Sequence, residues 1–388
     1  VTAKATGGGG AAVSGGYMYR LSVMDRIYAL RDRCLESQRF QRFCAAFPLT
    51  RPIANREAQG LFNLCAGFVY SQILSACVEL GLFDLLRQGP LSARELALRM
   101  SLSEEAAMRL LRAAAALKLV ERRSGDRFGL GMLGAAFNGN PAIAAMIRHH
   151  AILYRDLRDP VALLRGEART ELQRYWAYAD EDRRHDPDSG EVAPYSALMT
   201  ASQALISDDV LSAYPLRRHR CLLDVGGGEG AFVAAAAARH PSLRVKLFDL
   251  PAVAGRAQAG FESRGLGARA EAFGGSFLSD PLPRGADIIS LVRVLHDHDD
   301  AAVMQVLRAA REALPDGGVI LIAEPLAGTS GAEAMGDGYF GFYLLAMGQG
   351  RPRTANELSI MLSNAGFSRI QQRRTRRPIL TGVMTACR

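Results

Sequence analysis

Beyond residue 220 the chain alternates short apolar runs with longer stretches whose hydrophobic positions follow helical spacing. The runs fall at 221–225, 244–248, 269–273, 287–292 and 319–323, followed by two more at 367–372 and 381–386. Strands separated by helices in this manner predict a Rossmann-like α/β domain. Its seven-stranded, mostly parallel sheet carries helices on both faces and binds ligands at the C-terminal ends of its strands.

Upstream the pattern shortens. A small helix at 81–87, a second at 93–100 capped by Ser92, and a third at 104–119 behind Ser103 lead into two short runs on either side of Gly125-Asp126. Three helices and a hairpin predict a winged-helix-like module. Such modules can read DNA through the third helix, but 104–119 offers mainly Ala, Leu and two arginines, without the Asn or Gln that read adenine edges. Dimerisation is the better reading. Residues 58–78 carry no charge and are long enough to cross a bilayer, yet Gln59, Asn63, Ser71, Gln72 and Ser75 interrupt them, which predicts a buried helix. The resulting organisation is a Gly-rich tail (1–19), a basic helical arm (20–54), the winged-helix-like domain (55–140), a helical connector contributing to a substrate pocket (141–215), and the α/β domain (216–388). Pro160 and a polar loop at 180–194 break the connector.

Composition narrows the function. With 388 residues, 49% hydrophobic and 22% charged, the chain is a folded, multi-domain protein rather than a disordered or fibrous one. The net charge of +8 comes from basic residues that are almost all arginine and spread along the chain, so no nucleic-acid partner is expected. Arg369, Arg373, Arg374, Arg376 and Arg377 are the exception, read either as a solvated edge strand or as a surface for anionic lipid headgroups. Six scattered cysteines without a CxxC pair, and an N-terminus without an apolar leader core, suggest a reduced, cytoplasmic setting.

The chemistry concentrates after the strands. Asp224-Val225-Gly226-Gly227-Gly228-Glu229-Gly230 follows the first apolar run and opens an Ala-rich helix. Its spacing is neither the GxGxxG dinucleotide fingerprint nor a P-loop, and the leading acid suits a ligand bearing an ammonium and a sulfonium. Asp249, 23 residues after Gly226, ends the next strand where a carboxylate accepts ribose hydroxyls, with Leu250 beside it. Ser276 and Phe277 either flank an adenine or simply close a loop. Strand four runs through Arg293 into His296-Asp297-His298, where His296 is the candidate general base. A metal reading of that triplet lacks the helical spacing a ligand pair needs, and no metal is expected. Glu324, ending strand five, could orient the imidazole or merely cap its strand. Phe340, Tyr343 and Met347, with Met199, are candidates for an apolar substrate wall. His149 and His150 read as surface or internally satisfied histidines.

In this order the parts resemble the S-adenosylmethionine (SAM)-dependent O-methyltransferase family that includes the caffeic-acid and acetylserotonin enzymes. The resemblance implies a homodimer, SAM as methyl donor bound by Asp224, Gly226, Gly228, Gly230, Asp249, Leu250, Ser276, Phe277 and Arg293, and His296 with Glu324 as catalytic residues. The family's His-Asp-Trp triplet keeps its base here and loses its tryptophan. A second family carboxylate would fall near Pro352, and the family's Asp-Met pair aligns with Ser276-Phe277. The runs 148–157 (RHHAILYRDL), 291–295 (LVRVL) and 339–343 (YFGFY) are closer still to the bacterial carotenoid methyltransferases of the hydroxyneurosporene and demethylspheroidene type. That likeness implies methylation of the tertiary 1-hydroxyl of an acyclic carotenoid, and peripheral contact with the photosynthetic membrane is left open. The alternatives are an O-methyltransferase for a phenolic or other small hydroxyl, a winged-helix regulator, and an NAD-dependent oxidoreductase that the glycine spacing disfavours.

Overall fold

The computed structural model describes residues 22–175, 203 and 206–388. Met199 and the polar loop at 180–194 lie outside them. The chain divides into two units, Val1–Leu74 and Ser75–Arg388.

The first unit is helical. Helix α1 (Val23–Glu36) starts at Ser22, whose hydroxyl accepts from the Asp25 N–H while the Asp25 carboxylate accepts from the Ser22 N–H. Ser37 ends α1 and its hydroxyl accepts from the Phe40 N–H to start α2 (Gln38–Ala46). Helix α3 (Arg51–Glu79) follows and runs on into the second unit. The expected burial of 58–78 is not met: Cys77 and Val78 are the only buried residues of α3, and Leu61, Phe62, Leu64 and Phe68 are 59–82% exposed. The reason is in the pattern, since apolar residues run around this helix instead of along one stripe. A helix of that kind needs a cover its own small unit cannot supply.

In the second unit α4 (Leu82–Leu86), α5 (Ala93–Arg99) and α6 (Glu104–Ala116) precede a hairpin of β2 (Val120–Arg123) and β3 (Arg127–Leu130). Ser92 and Ser103 cap α5 and α6 as expected. The hairpin turns through Gly125 and Asp126, both at positive φ, and β1 (Leu91–Ser92) adds a third strand that the sequence did not announce. Helices α7 (Met132–Asn138), α8 (Pro141–Asp156), α9 (Pro160–Leu164) and α10 (Glu171–Tyr175) follow.

After α11 (206–213) the seven strands appear within a residue or two of their expected positions. They are β4 (Cys221–Val225), β5 (Arg244–Asp249), β6 (Ala270–Gly274), β7 (Ile288–Val292), β8 (Val319–Glu324), β9 (Ser368–Arg373) and β10 (Gly382–Cys387). The sheet order is β6-β5-β4-β7-β8-β10-β9, parallel except where β10 pairs antiparallel with β8 and β9. Period-two alternation divides the core. Leu223, Val225, Ile289 and Leu291 pack on Val306 and Leu307 of α14 (Asp300–Ala313) and Leu362 of α16 (Ala355–Asn364). Leu222, Ile288, Leu321 and Val383 join Phe232 and Val233 of α12 (Ala231–Arg239) and Phe261 of α13 (Pro251–Ser263). The strand order reverses between β4 and β7, so a crevice opens at their C-terminal ends.

Exposed apolar residues on α3 predict self-association. Sedimentation velocity at micromolar concentration should give a dimer, and Leu64→Asp combined with Phe68→Asp should give a monomer; a monomeric parent protein overturns the expectation.

Candidate active site

The glycine turn after β4 is shaped by three positive-φ residues, Gly226 (+69°), Gly228 (+57°) and Gly230 (+79°). A side chain on Gly226 would meet Val294 at 2.8 Å, whereas the space above Gly228 is open, so backbone alone lines the crevice there. Asp224 is fully buried. Its Oδ1 accepts from the Ser290 hydroxyl at 2.5 Å, and its Oδ2 has no partner. Asp249 accepts from the Gly228 N–H (2.8 Å) and the Leu250 N–H (2.7 Å), which fixes the carboxylate beneath the turn. Burial, and the proximity of Asp249, push Asp224 up to about 7; burial also raises Asp249. Two buried acids and an unpartnered oxygen are what a cationic ligand needs and what an empty fold avoids.

The second half of the crevice is the turn after β7. Arg293 takes a left-handed conformation (φ +59°) with its N–H on the Ala323 carbonyl. It leads into a single 3₁₀ turn, Leu295–Asp297, that carries His296. Glu324, at the end of β8, accepts from the Val294 N–H (3.0 Å) and Leu295 N–H (2.7 Å) through one oxygen and holds His296 Nδ1 with the other. Asp297 lies 3.1 Å from His296 Nε2. Burial works against a charged imidazole, but the Asp297 and Glu324 carboxylates outweigh it and raise His296 above its ordinary range. Asp297 is itself pushed up to about 6 by burial, against the pull of His296.

Glu324 therefore has the orienting contact expected of it. The region of Pro352 supplies no second carboxylate, and Arg353 takes its place in another way. Its buried guanidinium donates to the Leu295 and His298 carbonyls, each at 2.7 Å, and to Asp300. Gly350 presses on the backbone of His296 and Asp297, where a side chain has no room. Asp297 and Arg353 were missed as site residues: one hides beside the base in sequence, and the other reaches it only through the fold.

The aromatic run divides. A π-helical turn, Ala334–Phe340, precedes α15 (Gly341–Met347). The Phe340 ring meets His296 edge-on, centroids 5.8 Å apart. Tyr343 and Met347, expected on the substrate wall, are packed in a cluster with Leu153, Leu163 and Leu172. Tyr339 stacks on Tyr343 at 5.9 Å. His149 and His150 are internally satisfied rather than surface histidines: His149 Nε2 bonds the Tyr343 hydroxyl (2.8 Å) and His150 Nε2 the Tyr339 hydroxyl (2.7 Å). Burial lowers both histidines, His149 to about 4, which keeps them neutral partners. Ser276 turns its hydroxyl to the Leu278 N–H, closing its own loop. Phe277 reaches the Gly226 turn and packs edge-on against His298, which burial lowers to about 4. Among the described residues no group of three His, Cys, Asp or Glu is placed to hold a metal ion.

Residues 62–138 match the model of the O-methyltransferase dimerisation domain and residues 154–368 that of the O-methyltransferase domain. The chain is 44% identical to demethylspheroidene O-methyltransferase of Cereibacter sphaeroides over 92% of its own length and 94% of that enzyme's. It is 41% identical to the enzyme of the same name from Rhodobacter capsulatus, over 90% and 87%. Human N-acetylserotonin methyltransferase, solved in complex with SAM, superposes with a TM-score of 0.67 at 25% identity, covering 86% of this chain and 97% of that one.

The buried acids generate a paired prediction. Because Asp224 titrates at about 7, above its ordinary 3.8, the native state holds that proton more tightly than the unfolded chain. Its contribution favours folding at acid pH and is lost as pH rises through about 7. Ligand-free Asp224→Asn should therefore melt above the parent at about pH 8, with the gap narrowing as pH falls and closing only below about pH 4. The same variant should bind SAM at least about tenfold more weakly by titration calorimetry, the scale of a lost hydrogen bond to a charge. Unchanged SAM affinity overturns the assignment.

Proposed function

The chain belongs to the SAM-dependent O-methyltransferase family, and we propose that it methylates the tertiary 1-hydroxyl of an acyclic carotenoid with His296 as general base. The observation that carries the chemistry is the buried His296, gripped by Glu324 at the mouth of a crevice lined by two acids and open glycine backbone.

The crevice fits the family's methyl donor. The unpartnered Asp224 Oδ2 answers a cationic group, Asp249 offers its remaining lone pairs to a ribose, and the Gly226–Gly228 backbone leaves room for close approach. Leu250, Arg293 and Phe277 complete the neighbourhood. SAM supplies, when bound, a sulfonium methyl open to attack by a nucleophile.

A neutral alcohol is a poor nucleophile, so its proton must be removed as the new bond forms. Glu324 fixes the proton on His296 Nδ1 and leaves Nε2 as the basic nitrogen. Asp297 occupies Nε2 at 3.1 Å in this structure, and the acceptor hydroxyl takes its place when bound. The raised pKa of His296 strengthens the base and confines its neutral form to higher pH.

The acceptor assignment draws on the relatives named for demethylspheroidene and on Phe340, an apolar edge beside the base. A polyene binds by area, at about 25 cal/mol per Å² buried, with the hydroxyl as its one polar anchor. An acceptor of that kind lives in lipid. The protein is accordingly cytoplasmic, as its unpaired cysteines suit, and visits the photosynthetic membrane as a peripheral dimer.

Methyl transfer from labelled SAM should be seen with 1-hydroxylated neurosporene or lycopene and be negligible with caffeate or acetylserotonin. Activity on the small phenols alone overturns the carotenoid reading. His296→Ala should lower turnover by about 10²- to 10⁴-fold with SAM affinity kept. Turnover should rise with pH through a pKa above the ordinary histidine value, and Asp297→Asn should shift that limb to lower pH by removing a charge that favours the imidazolium. A limb that does not move takes Asp297 out of the account.

A further inference from the structure

We infer that the α1–α2 arm docks on an anionic lipid surface, with Phe40, Phe43 and Phe47 entering the interface and Arg39, Arg42, Arg51 and Arg56 facing the headgroups. The three phenylalanines recur at i, i+3 and i+7, which puts them on one face of α2 and its C-cap. They are 39–57% exposed, and Phe43 stacks on Phe47 at 5.5 Å. Val23, Ile27 and Leu30 make a similar exposed stripe on α1, and neither helix contains a buried residue.

Charge selects the partner. Residues 37–56 hold four arginines and no carboxylate, and none of the four is ion-paired among the described residues. A basic helix with an aromatic face is the composition of an element that lies in a lipid interface. Association of this stretch with its own copy would gather eight guanidiniums against only the flanking Glu36 and Glu57 of each copy, an excess of like charge that a two-fold contact disfavours. The match to the dimerisation domain, moreover, begins only at residue 62. The other basic cluster is a poorer candidate, because Arg373 lies over the Tyr214 ring and bonds Thr385, and Arg377 is paired with Asp209.

The inference takes its motive from the lipid-soluble acceptor proposed above, but its test needs no acceptor, so failure of either is seen separately. The full chain is mixed with vesicles of phosphatidylcholine alone or with phosphatidylglycerol and assayed by flotation. It should float with the anionic vesicles, progressively less as salt rises. Arg39→Gln with Arg42→Gln should weaken that binding about twenty-five-fold, at about fivefold per arginine near a charged surface. Phe40→Ser with Phe43→Ser should also release it, while both double variants stay dimeric in sedimentation and keep turnover on detergent-dispersed acceptor. The inference is overturned by absence of flotation, by equal flotation with both vesicles, or by serine variants that become monomeric yet still bind. That last outcome would assign the aromatic face to a second copy of the chain.

Discussion

One carboxylate decides where the proposed base, His296, sits. Glu324 ends a strand that is buried from Ile320 onward and accepts from three N–H groups, two of the backbone and one of the imidazole, all belonging to the turn that leaves the neighbouring strand. The turn is thereby tied to the sheet at the point where the crevice opens. Arg353 grips its far side by the carbonyls of Leu295 and His298, so the same few residues are held by an acceptor on one flank and a donor on the other. Hydrogen bonds to charged groups are the stronger kind, and in this buried setting neither charge could be removed without stranding its partners. Catalytic geometry thus rests on parts that do not themselves face a substrate.

Much of this was legible in the chain. Strand positions follow from apolar runs bounded by turn residues, and the glycine turn with its two acids suits a cationic ligand with a ribose, while the family resemblance is what implies SAM. What escaped the reading shares a cause. Arg353 reaches Leu295 across 58 positions and looks in sequence like one more arginine among many. The histidines at 149 and 150 find their tyrosines almost two hundred residues away. Helix α3 looked like core because its composition is that of core, and composition does not say which chain provides the cover. Met347 looked like wall because aromatic neighbours surround it, whereas packing draws it inward.

The donor crevice shows how far stability is given up for function. Asp224 and Asp249 are both buried, burial raises the cost of ionising each, Asp249 adds to that cost for Asp224, and Asp224 keeps an oxygen without a partner among the described residues. A cationic ligand relieves the tension, so binding energy is stored in the fold before the ligand arrives.

The place of β10 in the sheet bears on how the molecule is made. This strand, formed by residues 382–387, lies between β8 and β9 and not at an edge. A nascent chain that has not yet delivered those residues carries β8 with one side unpaired, an apolar strand edge of the sort that recruits wrong partners. Glu324 ends that very strand. Closure of the sheet waits for residues that emerge long after the turn after β7 has been made.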